Sequence, residues 1–377
     1  MKSLSRTIPI SNLSFSGNEE EYVLDALRST WISSLGRYID LFETNFASYI
    51  GVRHAVSVAN GTFALHLALK ALDIGPGDEV VVPAFTFAAT VNAVVHAGAE
   101  PVLADCSKDH WNIDPSEFEK AITPATKAVI PVHLYGHPCD MGSIMSIAER
   151  HGIAVIEDAA EAHGAECMER KVGGIGPIGC FSFYGNKVIT TGEGGMCVTN
   201  DDRLNERLRK LRDHGMNRGR RYWHDEVGFN FRLTNLNAAV GVAQLEQIEK
   251  ILSRRSKLEQ TYTRGMRKIP GLRTYPQSPH GKKIDWLFCL FVEEDFPCTR
   301  DALIPALKEY GIDARPTFYP LQMMPPYKDL RRSGDLQNTL RFGLTGLNLP
   351  LYPSLSEDDI EYILDALNQI REKAGKA

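Results

Sequence analysis

"HAVSVANGTFALHLALKALDIGPGDEVVVPAF", residues 54–85, contains two apolar runs, 54–60 and 79–85, around a helical stretch from about 62 to 72. The runs are rich in Val and largely continuous rather than alternating, as strands covered on both faces are. Strand, helix and strand in that order make a parallel unit. The same rhythm continues at 101–106, 128–136, 153–160, 180–185 and 195–200, with further helical patterns at 86–97 and 141–151. Seven runs predict an α/β fold around a mostly parallel seven-stranded sheet. In such a sheet the ligand site lies beyond the C-terminal strand ends.

The pattern changes from about residue 201. "DDRLNERLRKLRDHG" (201–215) reads as a capped, charged helix ended by Gly215, and 235–268 reads as one long helix. An apolar run at 286–294 and helices at 299–311 and 356–375 follow. The expected division is a large domain over 1–245 and a smaller C-terminal α+β domain over 246–377, with the long helix as hinge.

Composition narrows the function. Of 377 residues, 43% are hydrophobic and 24% charged, and the net charge is -5. That is globular composition without the basic field that nonspecific nucleic-acid binding needs. "MKSLSRTIPISNL" lacks the apolar core of a secretory signal. No apolar run approaches the roughly 18 residues of a membrane span. The seven cysteines are scattered without a CxxC pair. A cytoplasmic protein with reduced thiols, no membrane and no nucleic-acid partner is expected.

Two motifs invite chemistry and are better read as structure. "GGIGPIG" (173–179) has GxGxxG spacing, but polar "MERK" precedes it and an apolar run follows, the reverse of a dinucleotide fingerprint. A turn between elements fits better. "HLYGHPCD" (133–140) offers His133, His137 and Cys139, in a spacing that fits no common structural zinc pattern. A strand end entering a turn accounts for it, and no metal is expected.

Three other stretches combine. In "VANGTFALHLALKAL" (58–72), Asn60, Gly61 and Thr62 open an apolar helix. They serve equally as capping residues or as an anion site on free N–H groups. "VIEDAAEAHGA" (155–165) sets Glu157 and Asp158 at a strand end, and "SFYGNKVITTGEGG" (182–195) sets Lys187 in a small-residue loop. A lysine amine condenses with an aldehyde cofactor. Pyridoxal 5'-phosphate (PLP) needs that lysine, an acid beside its ring nitrogen, a phosphate cradle and an apolar plate. Lys187, Asp158, the Gly61–Thr62 turn and Phe87 in "PAFTFAATVNAV" can supply them.

The order "NGT", "PAFTF", "EDAAEAHGA", "FSFYGNKVITTGEGG" and "GFNFRLTNLNAAVGVAQLE" resembles the DegT/DnrJ/EryC1/StrS family of sugar aminotransferases. The likeness spans nearly the whole chain and implies a fold-type I PLP enzyme. It implies that Lys187 holds PLP and then shuttles a proton, that Asp158 pairs with the ring nitrogen and that Glu161 lies against the ring hydroxyl. Phe87 stacks on the ring, and Gly61, Thr62 and Ser182 hold the phosphate. Asn230 reaches phosphate in the neighbouring subunit, which implies a homodimer with shared sites. One branch carries histidine at the lysine position and dehydrates its substrate; retention of Lys187 favours transamination. His163 stands where other members of the resembled branch carry an apolar residue, and reads as tolerated variation.

Within the family, "TWISSLGRYI", "RRYWHDEVGFNFRLTN" and "RPTFYPLQMMPPY" resemble the branch that aminates a GDP-linked 4-keto-6-deoxy sugar with glutamate as donor, for surface polysaccharide (O-antigen) synthesis. The resemblance extends substrate contact to Trp31, Ser33, Arg315 and Tyr319. Arg218, Arg220 and Arg221 in "NRGRRYWH" (217–224) fit either a diphosphate grip or a solvated loop. Another keto sugar or keto-cyclitol stays open as substrate. So does a PLP-binding regulatory protein without turnover.

Overall fold

The computed structural model describes residues 6–217, 219–275 and 278–376. The seven expected runs form adjacent strands in the order His54–Val58, Gly195–Thr199, Ile178–Ser182, Ala154–Asp158, Thr126–Val129, Glu79–Pro83 and Glu100–Ala104. Only Gly195–Thr199 runs against its neighbours. An eighth strand, Arg331–Arg332, joins the far edge beside Glu100–Ala104. The expected count of seven is therefore one short, because a two-residue strand leaves no periodic trace in sequence.

The continuous apolar runs follow from the layers. Val80 and Val82 face one cluster, with Ala64, Leu65 and Val94 of the helices Gly61–Ala71 and Ala88–Ala97. Val81 faces the other cluster, with Phe42, Phe46 and Ala238 of the helices Arg37–Ile50 and Asn235–Glu246. Both faces are covered, so alternation disappears.

The long helix expected over 235–268 is instead two helices, Asn235–Glu246 and Ile248–Met266. They part at Gln247, whose φ of -102° and ψ of 0° leave the helical region. No Gly or Pro marks the break. Beyond it lies a second, antiparallel sheet of Leu272–Thr274, Phe288–Val292, Gly346–Leu349 and Arg315–Pro316. The helices Arg300–Glu309 and Glu357–Ala374 share its core with Ile248–Met266. The C-terminal part thus builds its own sheet but sends Arg331–Arg332 back to the first. No helix among the described residues is long and apolar enough to cross a membrane.

One buried carboxylate ties three elements of the first layer. Glu43 of the helix Arg37–Ile50 accepts from the Ser57 amide at 2.9 Å and the Ser57 hydroxyl at 2.8 Å. It also meets Arg209 at 2.7 Å and Arg212 at 2.8 Å, both on the helix Asp202–Arg212. Burial pushes this carboxyl up, but the two guanidiniums and Ser57 outweigh it and hold it below its ordinary value. Glu43→Ala leaves two guanidiniums facing a buried gap and is expected to cost about 3–5 kcal/mol. Urea unfolding measures this, and a loss below about 1 kcal/mol, the scale of an exposed pair, contradicts it.

Candidate active site

The parallel strands end on the same edge of the sheet, and the chain at several of those ends supplies one piece of a site. After Val58, the Asn60 side chain accepts from the Phe63 amide at 2.9 Å and caps the helix Gly61–Ala71. Asn60 is therefore the cap, while the Gly61 and Thr62 amides at the same turn have no intrahelical partner. A Cβ on Gly61 would lie 2.7 Å from Ser182 Cβ, so only glycine lets the turn approach the strand Ile178–Ser182. The Ser182 hydroxyl thus stands beside a helix N-terminus, a setting suited to phosphate.

Asp158 closes the strand Ala154–Asp158 and is buried. Its Oδ2 accepts from the Thr90 hydroxyl at 2.9 Å, and its Oδ1 from the Ala160 amide at 3.2 Å. Burial pushes its carboxyl up, against the pull of Ala160, Thr90 and the Lys187 charge. Glu161 is also buried, and its Oε2 accepts from the Tyr135 amide at 2.8 Å. Its Oε1 lies 3.4 Å from Lys187 Nζ. Burial raises this carboxyl too, with Lys187 opposing. Tyr135 holds this contact from a left-handed backbone, φ +53°. Such strain in a non-glycine residue persists only where the surroundings enforce it.

Lys187 Nζ lies 3.9 Å from the centroid of the Trp286 ring, whose indole N–H donates to the Asn186 carbonyl at 2.7 Å. The Phe87 ring begins the helix Ala88–Ala97 and is 57% exposed, an uncovered aromatic face beside Phe318 at 5.5 Å. A carboxyl, an amine, a helix N-terminus suited to an anion and an aromatic plate thus stand at or just past the C-terminal ends of four strands of the sheet. They fit what PLP requires.

The remaining expected residues have other partners. Asn230 is exposed, pairs with Asp213, and accepts from Arg232 at 3.0 Å. Its neighbour Phe231 accepts from the Ala59 amide at 2.8 Å. Asn235 fixes the segment of Trp31 and Ser33 by donating to their carbonyls, each at 2.6 Å. Arg315 pairs with Asp313 at 3.2 Å, and the Arg300 guanidinium lies 5.3 Å from the Tyr319 ring. Arg220 and Arg221 are exposed and stack on Trp223 at 4.0 Å and Tyr222 at 5.0 Å. Arg218 lies outside the described residues.

The two motifs read as structure meet each other. Glu157 accepts from the amides of Gly173 at 2.8 Å, Ile175 at 2.7 Å and Gly176 at 2.6 Å. "GGIGPIG" is thus a turn that wraps a carboxylate. Glu157 also meets His133 Nε2 at 3.0 Å, while His133 Nδ1 accepts from the Cys139 amide at 3.1 Å. That amide can only donate, which assigns the ring proton to Nε2. His137 packs against Trp111 at 4.5 Å. Sequence reasoning missed Thr90, Tyr135 and Trp286. Thr90 had a signal, one helical turn from Phe87; Trp286 sat inside an apolar run.

The sequence profile of the DegT/DnrJ/EryC1/StrS aminotransferase family matches residues 14–368. GDP-perosamine synthase of Caulobacter vibrioides is 47% identical over 355 residues, 94% of this chain and 95% of that protein. GDP-perosamine synthase of Vibrio cholerae is 40% identical over 360 residues, 96% of this chain and 98% of that one. Among solved structures, S. venezuelae DesV superposes with a TM-score of 0.88 at 38% identity, covering 95% of this chain and 94% of that one. An aminotransferase from Psychrobacter cryohalolentis gives 0.91 at 33%, covering 97% and 100%.

His163 follows the site acids and is fully buried, 5.4 Å from both the Phe181 and Phe183 rings. Burial, with the Lys187 charge adding to it, pushes the imidazole down to about 3. An unfolded histidine titrates near 6.5. As pH falls below that value, the unfolded chain takes a proton that the folded chain refuses, and stability drops until about pH 3. The slope from this group is about 1.4 kcal/mol per pH unit. His163→Leu should therefore lose less stability than wild type between about pH 6 and 4, measured by urea midpoints. Parallel slopes in the two proteins contradict it.

Proposed function

The chain belongs to the DegT/DnrJ/EryC1/StrS aminotransferase family, a family of PLP-dependent transaminases, and we propose that it transfers the amino group of glutamate to carbon 4 of a GDP-linked 4-keto-6-deoxy sugar. The product is then GDP-perosamine, a precursor for surface polysaccharide. The observation that carries this reading is the Lys187 amine held 3.4 Å from Glu161 and within electrostatic reach of the buried Asp158. Two relatives named GDP-perosamine synthase, at 47% and 40% identity, support the choice of substrate.

When bound, PLP supplies an aldehyde that takes up the amino group and a ring that draws electrons from the reacting carbon. The chain's residues do the rest. Asp158, steadied by Thr90, would pair with the ring nitrogen and hold a proton there. The Gly61 and Thr62 amides and the Ser182 hydroxyl hold phosphate at the helix N-terminus. Phe87 would cover one face of the ring, and Glu161 would lie against its hydroxyl. Lys187 moves the proton at the substrate carbon, and one lysine serves both half-reactions because the same proton travels in both directions. Asn230 completes the phosphate contacts of a partner subunit in a homodimer.

Lys187→Ala should abolish turnover and the visible absorbance of lysine-bound cofactor, while PLP still binds weakly through its phosphate. Mixed with Asn230→Ala, it should regain part of the activity through hybrid dimers. Full activity in Lys187→Ala overturns the lysine assignment, and no rescue overturns the shared site. Purified enzyme with glutamate and a panel of nucleotide-linked 4-keto sugars tests the substrate; preference for another nucleotide or ketone contradicts it.

Arg220 and Arg221 are the proposed grip on the diphosphate, since exposed guanidinium forks match its charge. Arg220→Ala and Arg221→Ala should each weaken the sugar nucleotide by about 1.5–3 kcal/mol. The change should appear in its KM, with the glutamate half-reaction intact. Unchanged constants in both make this loop ordinary surface.

A further inference from the structure

Trp286 is gripped at its ring and at its backbone while its indole faces the Lys187 amine. On one side the Tyr135 ring lies nearly parallel to it, at 15° and 5.9 Å. At the backbone, the buried Arg255 of the helix Ile248–Met266 donates to the carbonyls of Trp286 at 2.9 Å, Leu351 at 2.9 Å and Asp285 at 3.4 Å. Lys283 adds a second tether, meeting Asp285 at 2.7 Å and Glu259 of the same helix at 3.1 Å. A guanidinium buried among carbonyls is costly to desolvate. One whose donors reach two separate segments fixes both relative to its helix.

A free lysine amine rides on a flexible four-carbon stem and loses much rotamer freedom when held. The face of an indole attracts an ammonium through the ring quadrupole. We infer that Trp286 is the wall that keeps the Lys187 amine within reach of the reacting atoms while it is not bonded to the cofactor, and that Arg255 positions this wall from the helix Ile248–Met266. The inference rests on the role of Lys187 proposed above. Trp286 touches the reacting amine; Arg255 acts through it. Confining the amine raises its effective concentration at the atom it must return to in every turnover.

The test strips the cofactor and restores PLP, following two quantities besides activity. One is retention of PLP at equilibrium. The other is the rate at which the absorbance of lysine-bound cofactor appears. Trp286→Leu should slow that rate about ten-fold, the equivalent of about 1.4 kcal/mol and within the range of a desolvated cation–π contact. Retention through the phosphate contacts should stay near wild type, and the urea midpoint, read separately, reports the packing lost with the indole. Trp286→Phe keeps an aromatic face and should lose less than about three-fold. Arg255→Lys should fall between the two. A Leu variant as fast as wild type, or Phe and Leu variants equally slow, overturns the wall. Should Trp286→Leu fail to fold, the Phe and Arg255→Lys variants decide by the same ordering against wild type. Wild type that never forms the lysine-bound species removes the inference together with the reading beneath it; normal wild type with an unaffected Leu variant removes the inference alone.

Discussion

The buried carboxylate of Glu157 is the contact on which the site's geometry depends. Three backbone amides and the His133 ring converge on it, with no solvent to replace any of them. Burial alone would push this acid up; His133 and the amides of Gly176 and Gly173 outweigh that and hold it below its ordinary value. The charge therefore persists inside the fold and locks the 173–176 turn and the 133 turn to the end of one strand. His133 returns the constraint, because its amide donates to the Asp158 carbonyl at 3.0 Å.

Adjacent acids in a strand point to opposite faces. Val155 and Glu157 belong to one face and Ile156 and Asp158 to the other, as their core clusters show for the two apolar residues. The same local sequence thus yields one acid satisfied by structure and one left with a raised pKa beside Lys187. Glu161, raised for the same reason, shares the lysine. Two acids that burial discourages from ionising therefore stand near one amine, Glu161 at 3.4 Å and Asp158 within its electrostatic reach.

Much of this was legible in the sequence. The seven main strands were, since sheets covered on both faces write themselves as Val-rich runs, as in "EVVVP" (79–83). The order of strands was not, because pairing is a property of surfaces distant in sequence. Lys187, Asp158 and Gly61 were legible because each follows a strand end and has a chemical reason to be there. Trp286 was not, since an indole in "WLFCLFVEE" looks like core until its neighbour is known. The break at Gln247 was invisible too: its backbone leaves the helix without a residue that forces it to. "HLYGHPCD" showed the reverse hazard, a cluster with ligand-like chemistry whose histidine and cysteine are engaged with backbone and with Glu157.

The edge strand Arg331–Arg332 has a consequence for synthesis. Glu100–Ala104 is made early, yet the strand that pairs with its outer edge among the described residues comes more than two hundred positions later. A chain emerging from the ribosome therefore carries a nearly finished sheet whose Glu100–Ala104 edge still offers open amides and carbonyls. Such edges recruit strands from other chains, and domains that fold during translation are exposed to this for as long as elongation lasts. The order in which this polypeptide is made thus sets a window of several seconds or more, at ordinary elongation rates, in which it is most prone to aggregate.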